Sequence, residues 1–373
     1  MNKKIFIWSA STIFLFFCLI FKANSQTQET TKPYTYTVGG NVFKGFIMKH
    51  DEIIGHLVQG HPTGFELFIN KNTYGNKDWE HRFNYPDIGV SLTYFDLKNE
   101  TIGKVISATS YLDFYLRRKR KSNVILKIGT GLAYNTNPYN RETNNKNNVI
   151  SSRLSFALQG RIGYHFKLND RLKLTSSLTL SHFSNGAFRL PNKGINIVSA
   201  NFGTSYKLER TSPELSPENN QTTISSEIKY NINLSAGVKE VIPVGSKKYP
   251  FFTLSMYADK KINTQSALNL GMDFFYSLAV KQEVKTDRDL AGDDNPDFKQ
   301  VGLVVGHELF VSKISLLTQL GIYVYKPYKS TGQPIYQRYG LKYYLNNKYY
   351  AGVLLKAHLG VADNVEWTFG IRF

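Results

Sequence analysis

The sequence predicts an all-β chain folded as a transmembrane antiparallel β-barrel of about 14–16 strands. Three observations carry that expectation: an N-terminal export signal, long segments alternating apolar with polar residues, and an amphipathic segment that runs to the last residue. Composition agrees. The 373 residues are 14% aromatic with a mean hydropathy of −0.30, which excludes both a disordered chain and a bundle of membrane helices.

The export signal comes first. Lys3 and Lys4 form a basic start, Ile5 to Phe21 an apolar run, and Ala23-Asn24-Ser25 a small-x-small cleavage site before Gln26. A retained anchor fits less well, because the cleavage motif follows the run at once. A lipoprotein would need Cys18, which lies inside the apolar run behind Phe17. Removal of residues 1–25 takes away the single cysteine, so the mature chain has neither a disulfide nor a thiol nucleophile. With 46 Lys+Arg against 28 Asp+Glu, the chain favours an anionic partner. For an exported protein that partner is anionic lipid rather than nucleic acid.

The strands follow in order, near 41–49, 62–73, 87–99, 103–119, 122–136, 150–169, 172–185, 194–210, 223–241, 251–263, 266–283, 299–313, 314–327, 334–347, 349–362 and 364–373. The clearest is 267–280, where Leu268, Leu270, Met272, Phe274, Tyr276, Leu278 and Val280 share one face and Asn269, Asp273 and Ser277 the other. The stretch 153–166 repeats it, with Leu154, Phe156, Leu158 and Ile162 against Ser155, Gln159 and Arg161. Val365, Trp367, Phe369, Ile371 and Phe373 alternate with Glu366, Thr368, Gly370 and Arg372, which resembles the closing strand of bacterial outer-membrane barrels. Connections alternate between long polar ones (137–149, 186–193, 284–298, 328–333) and short ones (120–121, 170–171, Asp363), as extracellular loops and periplasmic turns would. Residues 211–222, rich in Ser, Pro and Asn, read as a connecting segment. The domain expectation is a signal peptide (1–25), a first barrel half (26–210), that connector, and additional strands (223–373). One larger barrel is preferred; an eight-stranded barrel followed by a second barrel-like half is the alternative.

One segment carries chemistry. Residues 182–196 read HFSNGAFRLPNKGIN. His182 and Ser184 lie two apart on a strand, so they share a face with Cα atoms about 6.5 Å apart, within reach for an imidazole to take the hydroxyl proton. Their parity is that of Leu172, Leu174, Leu178 and Leu180, which points them at lipid. Hairpin pairing puts Asn196 opposite His182. Taken alone, the pattern also describes a polar strand end at headgroup level.

HFSNG followed by PNKGIN resembles the signature of the lipid A 3-O-deacylase family, outer-membrane barrels that, with relatives called acyloxyacyl hydrolases, cleave ester-linked acyl chains from lipid A. The resemblance is specific in 182–196 and diffuse across about 60–210. It implies an outer-membrane serine esterase with His182 as general base, Ser184 as nucleophile, and Asn185 and Gly186 as oxyanion contacts. The family commonly carries Glu where this chain has Asn196, which could orient the imidazole without offering charge. A second departure is length, since the family's small barrel would end near 210.

Other polar residues weigh less. Lys356, His358, Glu366 and Arg372 have lumen parity and read as an interior charge network. His50, His56 and His61 flank a short helical segment without metal-ligand spacing, and a turn or periplasmic role is expected of them. The acidic loop 287–297 lacks alternating calcium ligands at Ala291. No cofactor is implied. Lipid A or lipopolysaccharide is the expected partner, with the outer-membrane insertion machinery; the competing readings are a non-catalytic porin or scaffold and a phospholipid esterase.

Overall fold

The computed structural model describes residues 32–119, 121–216, 227–286, 297–327 and 333–373. The export signal and nearly all of the acidic loop 287–297 lie outside them. Sixteen strands are described. The first eight are β1 (Thr35–Ile47), β2 (Thr63–Asn72), β3 (Asp87–Asp96), β4 (Lys104–Arg118), β5 (Ser122–Asn135), β6 (Leu154–Lys167), β7 (Leu172–Ser184) and β8 (Ile195–Lys207). The second eight are β9 (Ile228–Glu240), β10 (Lys248–Lys261), β11 (Ser266–Ser277), β12 (Gln300–Val311), β13 (Ile314–Tyr325), β14 (Ile335–Tyr344), β15 (Tyr349–His358) and β16 (Val361–Arg372).

The antiparallel barrel expected from the alternation is what forms, but as two closed barrels of eight strands each rather than one larger sheet. β8 returns to pair with β1, Phe202 opposite Val42, and so occupies the edge a ninth strand would have extended. β16 closes on β9 in the same way, Phe369 opposite Leu234. Eight tilted strands leave a lumen that side chains can occupy, and side chains reach into both lumens.

The filling is polar. In the first barrel Arg161 Nη1 lies 2.7 Å from Glu66 Oε2, Asn41 donates to the same oxygen at 2.7 Å, and Asn70 donates to Asp113 at 3.2 Å. In the second, Arg338 bridges Asp273 (2.9 Å) and Glu366 (2.6 Å), Lys342 meets Glu308 at 2.9 Å, and Arg372 meets Asp259 at 2.7 Å. Lys356 reaches Asp363 at 3.5 Å, and His358 Nε2 pairs with the Tyr323 hydroxyl at 3.0 Å. Outside, apolar residues stay exposed: Val42, Leu178 and Phe202 on the first barrel, Leu270, Val305 and Phe369 on the second. That inversion of a soluble core is the pattern of strands that cross a bilayer. Among the described residues no helix is long and apolar enough to cross a membrane.

Two local expectations change. The alternation at 267–280 does not stay strand to its end: a helix, Leu278–Thr286, begins after β11, and its Leu278, Val280 and Val284 pack with Phe298 instead of facing outward. Asp363 is not a turn but sits inside β16; the β15–β16 turn is Leu359–Gly360, where both residues have positive φ. Strand alternation puts that turn at the same end of its barrel as the long connections. Conversely, a long connection with the helix Asp78–Arg82 joins β2 to β3 at the short-turn end.

Candidate active site on the β7–β8 hairpin

At the long-loop end of the first barrel the inward positions turn from polar to apolar. Phe43, Ile47, Phe95, Val105, Ile195 and Ile197 from the strand ends meet Ile54, Leu57, Val149 and Ile150 from the loops in a buried plug. Phe183 enters this plug and packs edge-on against Phe95, ring centroids 5.2 Å apart. The residues on either side of it, His182 and Ser184, are thereby fixed at the mouth of the barrel.

His182 has the outward parity expected, shared with the exposed Leu174, Leu178 and Leu180. Asn196 is its cross-strand partner in the register, and its Oδ1 lies 2.7 Å from His182 Nδ1. Ser184 differs from expectation. It is buried, not displayed on the open outer wall, because the 185–194 loop folds back over the strand end. Its Oγ accepts from the Gly186 N–H at 3.1 Å and from Asn192 Nδ2 at 2.9 Å. Among the described residues no hydrogen bond joins Ser184 to His182.

Gly194 explains how near the two side chains are. It has φ +76°, and a Cβ there would lie 3.0 Å from His182 Cε1 and 3.6 Å from Ser184 Cβ. The bare backbone therefore leaves open the space between imidazole and serine. The donors of Asn185, expected at the oxyanion, are engaged elsewhere in this arrangement: its Nδ2 donates to Ser151 Oγ (3.0 Å), Ser152 Oγ (3.2 Å) and Arg189 O (2.9 Å), and its N–H to Asn192 Oδ1 (3.0 Å). Asn185 braces the loop. Asn192, to which the alternation assigns no role, is the side chain that reaches Ser184; only its position inside the PNKG string could have pointed to it.

His50, His56 and His61 lie at this same loop end rather than at the turn end. Their ring nitrogens meet the carbonyls of Lys193 (3.0 Å), Lys146 (2.8 Å) and Gly45 (3.2 Å), so they tie the β1–β2 connection to two neighbouring loops and to β1. Lys193 Nζ also pairs with Asp51 at 2.7 Å, which holds that carboxyl below its ordinary range. Among the described residues no cluster of His, Cys, Asp and Glu could hold a metal.

The second barrel touches the site loop. The Leu190 N–H donates to Glu240 Oε2 at 3.2 Å, Lys248 Nζ lies 3.3 Å above the Phe188 ring, and a Cβ on Gly186 would collide with Val365 of β16.

Residues 63–205 match the family model "Lipid A 3-O-deacylase (PagL)", and residues 228–373 match "Acyloxyacyl hydrolase, C-terminal domain". The strands beyond 210, expected to be additional to the family pattern, thus have a domain model of their own. A search of curated proteins gave no match. Solved structures similar to this chain include Neisserial surface protein A, 12% identical over 46% of this chain and 95% of that one, with a TM-score of 0.30. The toluene transporter TodX of P. putida is 9% identical over 91% and 88%, with a TM-score of 0.18. A variant porin of Rh. blastica is 9% identical over 91% and 100%, with a TM-score of 0.18. The two family models together take in more than three quarters of the sequence, one on each barrel, and the chain belongs to the lipid A 3-O-deacylase and acyloxyacyl hydrolase family of the bacterial outer membrane.

Proposed function

We propose that the protein hydrolyses an ester-linked acyl chain of lipid A with Ser184 as nucleophile, His182 as general base and Asn196 as the residue that orients the base. The observation that carries this reading is the 2.7 Å contact between His182 Nδ1 and Asn196 Oδ1. A carbonyl oxygen at Nδ1 accepts its proton, and Nε2 is then the basic nitrogen.

In the resting arrangement Ser184 Oγ occupies the point on which Gly186 N–H and Asn192 Nδ2 converge. Rotation about χ1 brings Oγ to His182 and frees both donors. Oγ attacks the ester carbonyl as its proton passes to Nε2, and the oxyanion takes the place Oγ left, held by Gly186 and Asn192. The tetrahedral intermediate expels the sugar hydroxyl, which receives the proton from His182. Water then cleaves the acyl-serine with His182 again as base, giving a fatty acid and free Ser184. Apo geometry with a long nucleophile-to-base separation is common for such sites. The lipid-facing side of His182 suits a substrate that never leaves the bilayer.

Mass spectrometry of lipid A incubated with the purified protein tests the reading. One acyl mass lost from lipid A, a matching free fatty acid, and no change with Ser184→Ala is the expected result. Hydrolysis of phospholipid alone would favour the phospholipid esterase, and intact lipid A with intact phospholipid a barrel without this chemistry.

A further inference from the structure

At the short-turn end of the first barrel, far along the strands from Ser184, lies a cavity of about 260 Å³. Arg118, Lys119, Lys167, Lys173 and Lys207 line it, against only Asp87 and Asp170. They come from the end of β4 and its turn, the end of β6, the start of β7 and the end of β8. Barrel closure gathers what the sequence spreads over some ninety positions.

The connecting segment roofs the cavity with Ser212, Pro213 and Leu215. It is tied down there: the Ser216 N–H donates to Tyr74 O at 2.9 Å, the Tyr85 hydroxyl donates to Ser216 O at 2.7 Å, and Lys207 Nζ donates to Ser212 Oγ at 2.7 Å. Arg118 is also held, its guanidinium over the Tyr115 ring at 3.7 Å and donating to Tyr85 O at 2.6 Å. One of the two carboxylates is engaged, since Asp87 Oδ2 accepts from the Tyr115 hydroxyl at 2.6 Å. The ion pairs of this lumen join Arg161 and Lys127 to Glu66 and Asp113; among the described residues, none involves one of the five cations.

Five cations gathered against two carboxylates around an open-sided cavity make a positive potential that favours an anion there. We propose that this chamber binds a phosphate-bearing anion. Arg and Lys are the donors that phosphate oxygens take, and their convergence from four strand ends suits a group with several acceptors. The volume falls below the roughly 300–1,000 Å³ of sites that enclose a drug-sized ligand, so it fits a headgroup or a small phosphorylated solute. The short-turn end of an outer-membrane barrel faces the periplasm, where both sources are at hand.

Two probes separate the sources: inorganic pyrophosphate titrated calorimetrically into the full-length protein in neutral detergent, and phosphatidylglycerol retained in native mass spectra after transfer from mixed phosphatidylglycerol and phosphatidylcholine nanodiscs. Binding of pyrophosphate assigns a soluble anion; selective retention of phosphatidylglycerol alone assigns the lipid headgroup. With either, the Lys167→Gln/Lys207→Gln double variant should bind about tenfold more weakly, and wild-type affinity should fall as salt rises. The heat-induced gel shift of the double variant stays that of the wild type, which reports the fold. Failure of both probes, wild-type affinity in the double variant, or affinity indifferent to salt would overturn the proposal.

Discussion

A methyl group on Gly194 would crowd the His182 imidazole, and the φ of +76° there disfavours any side chain. Gly194→Ala should therefore lower turnover by roughly tenfold or more with the barrel intact. Steady-state rates and the heat-induced gel shift together check it. Asn196→Ala should reduce turnover more than Glu366→Gln, which alters only the lumen of the other barrel; Asn196→Glu should be tolerated, because a carboxylate at that place accepts the same Nδ1 proton. A larger loss in Glu366→Gln would move the site away from the β7–β8 hairpin. The pairing of His182 with Asn196 is legible in the sequence, because a hairpin of known parity leaves few partners for each residue, and the register sets them opposite. The roles of Asn185 and Asn192 are not. Which amide of a loop turns inward depends on what the loop lies against, here Ser151, Ser152 and Arg189, which are remote in sequence or engaged through backbone.

Elements are legible where the period-two pattern is bounded by turn residues, and misread where it runs on without a break. Leu278 and Val280 continue the alternation of β11 faultlessly, yet the Val280 N–H meets Ser277 Oγ at 3.3 Å and a helix starts there. Nothing in a two-residue period marks that change, since packing on Phe298 decides it. Lumen residues are better placed: Glu366 and Lys356 are buried in the network their parity implies. Its centre is Arg338, fully buried between Asp273 and Glu366. Arg338→Ala would strand two buried carboxylates, so the second barrel should lose about 3–5 kcal/mol of stability. Urea unfolding in detergent micelles, followed by tryptophan fluorescence, would register it.

At the scale of the molecule, alternation says how many strands cross and stays silent on where a sheet closes. Closure depends on β8 finding β1, a contact between residues 150 or more positions apart. The consequence for function is the contact between barrels. Glu240 accepts from the Leu190 N–H in the loop that covers Ser184, while its other oxygen accepts from Gly245 in its own turn. Glu240→Ala should therefore lower kcat several-fold at nearly unchanged KM, and Glu240→Gln, which keeps an acceptor, should retain most of the rate. Equal rates in all three proteins would make the second barrel a bystander to the loop.

The claim on which the rest depends is that Ser184 is the nucleophile. A lipid-like fluorophosphonate, which reacts only with activated serines, tests it directly when the labelled peptide is identified by mass spectrometry. One label is expected, on Ser184, absent in Ser184→Ala and formed orders of magnitude more slowly in His182→Ala. Label on another serine, or undiminished labelling without His182, would contradict it.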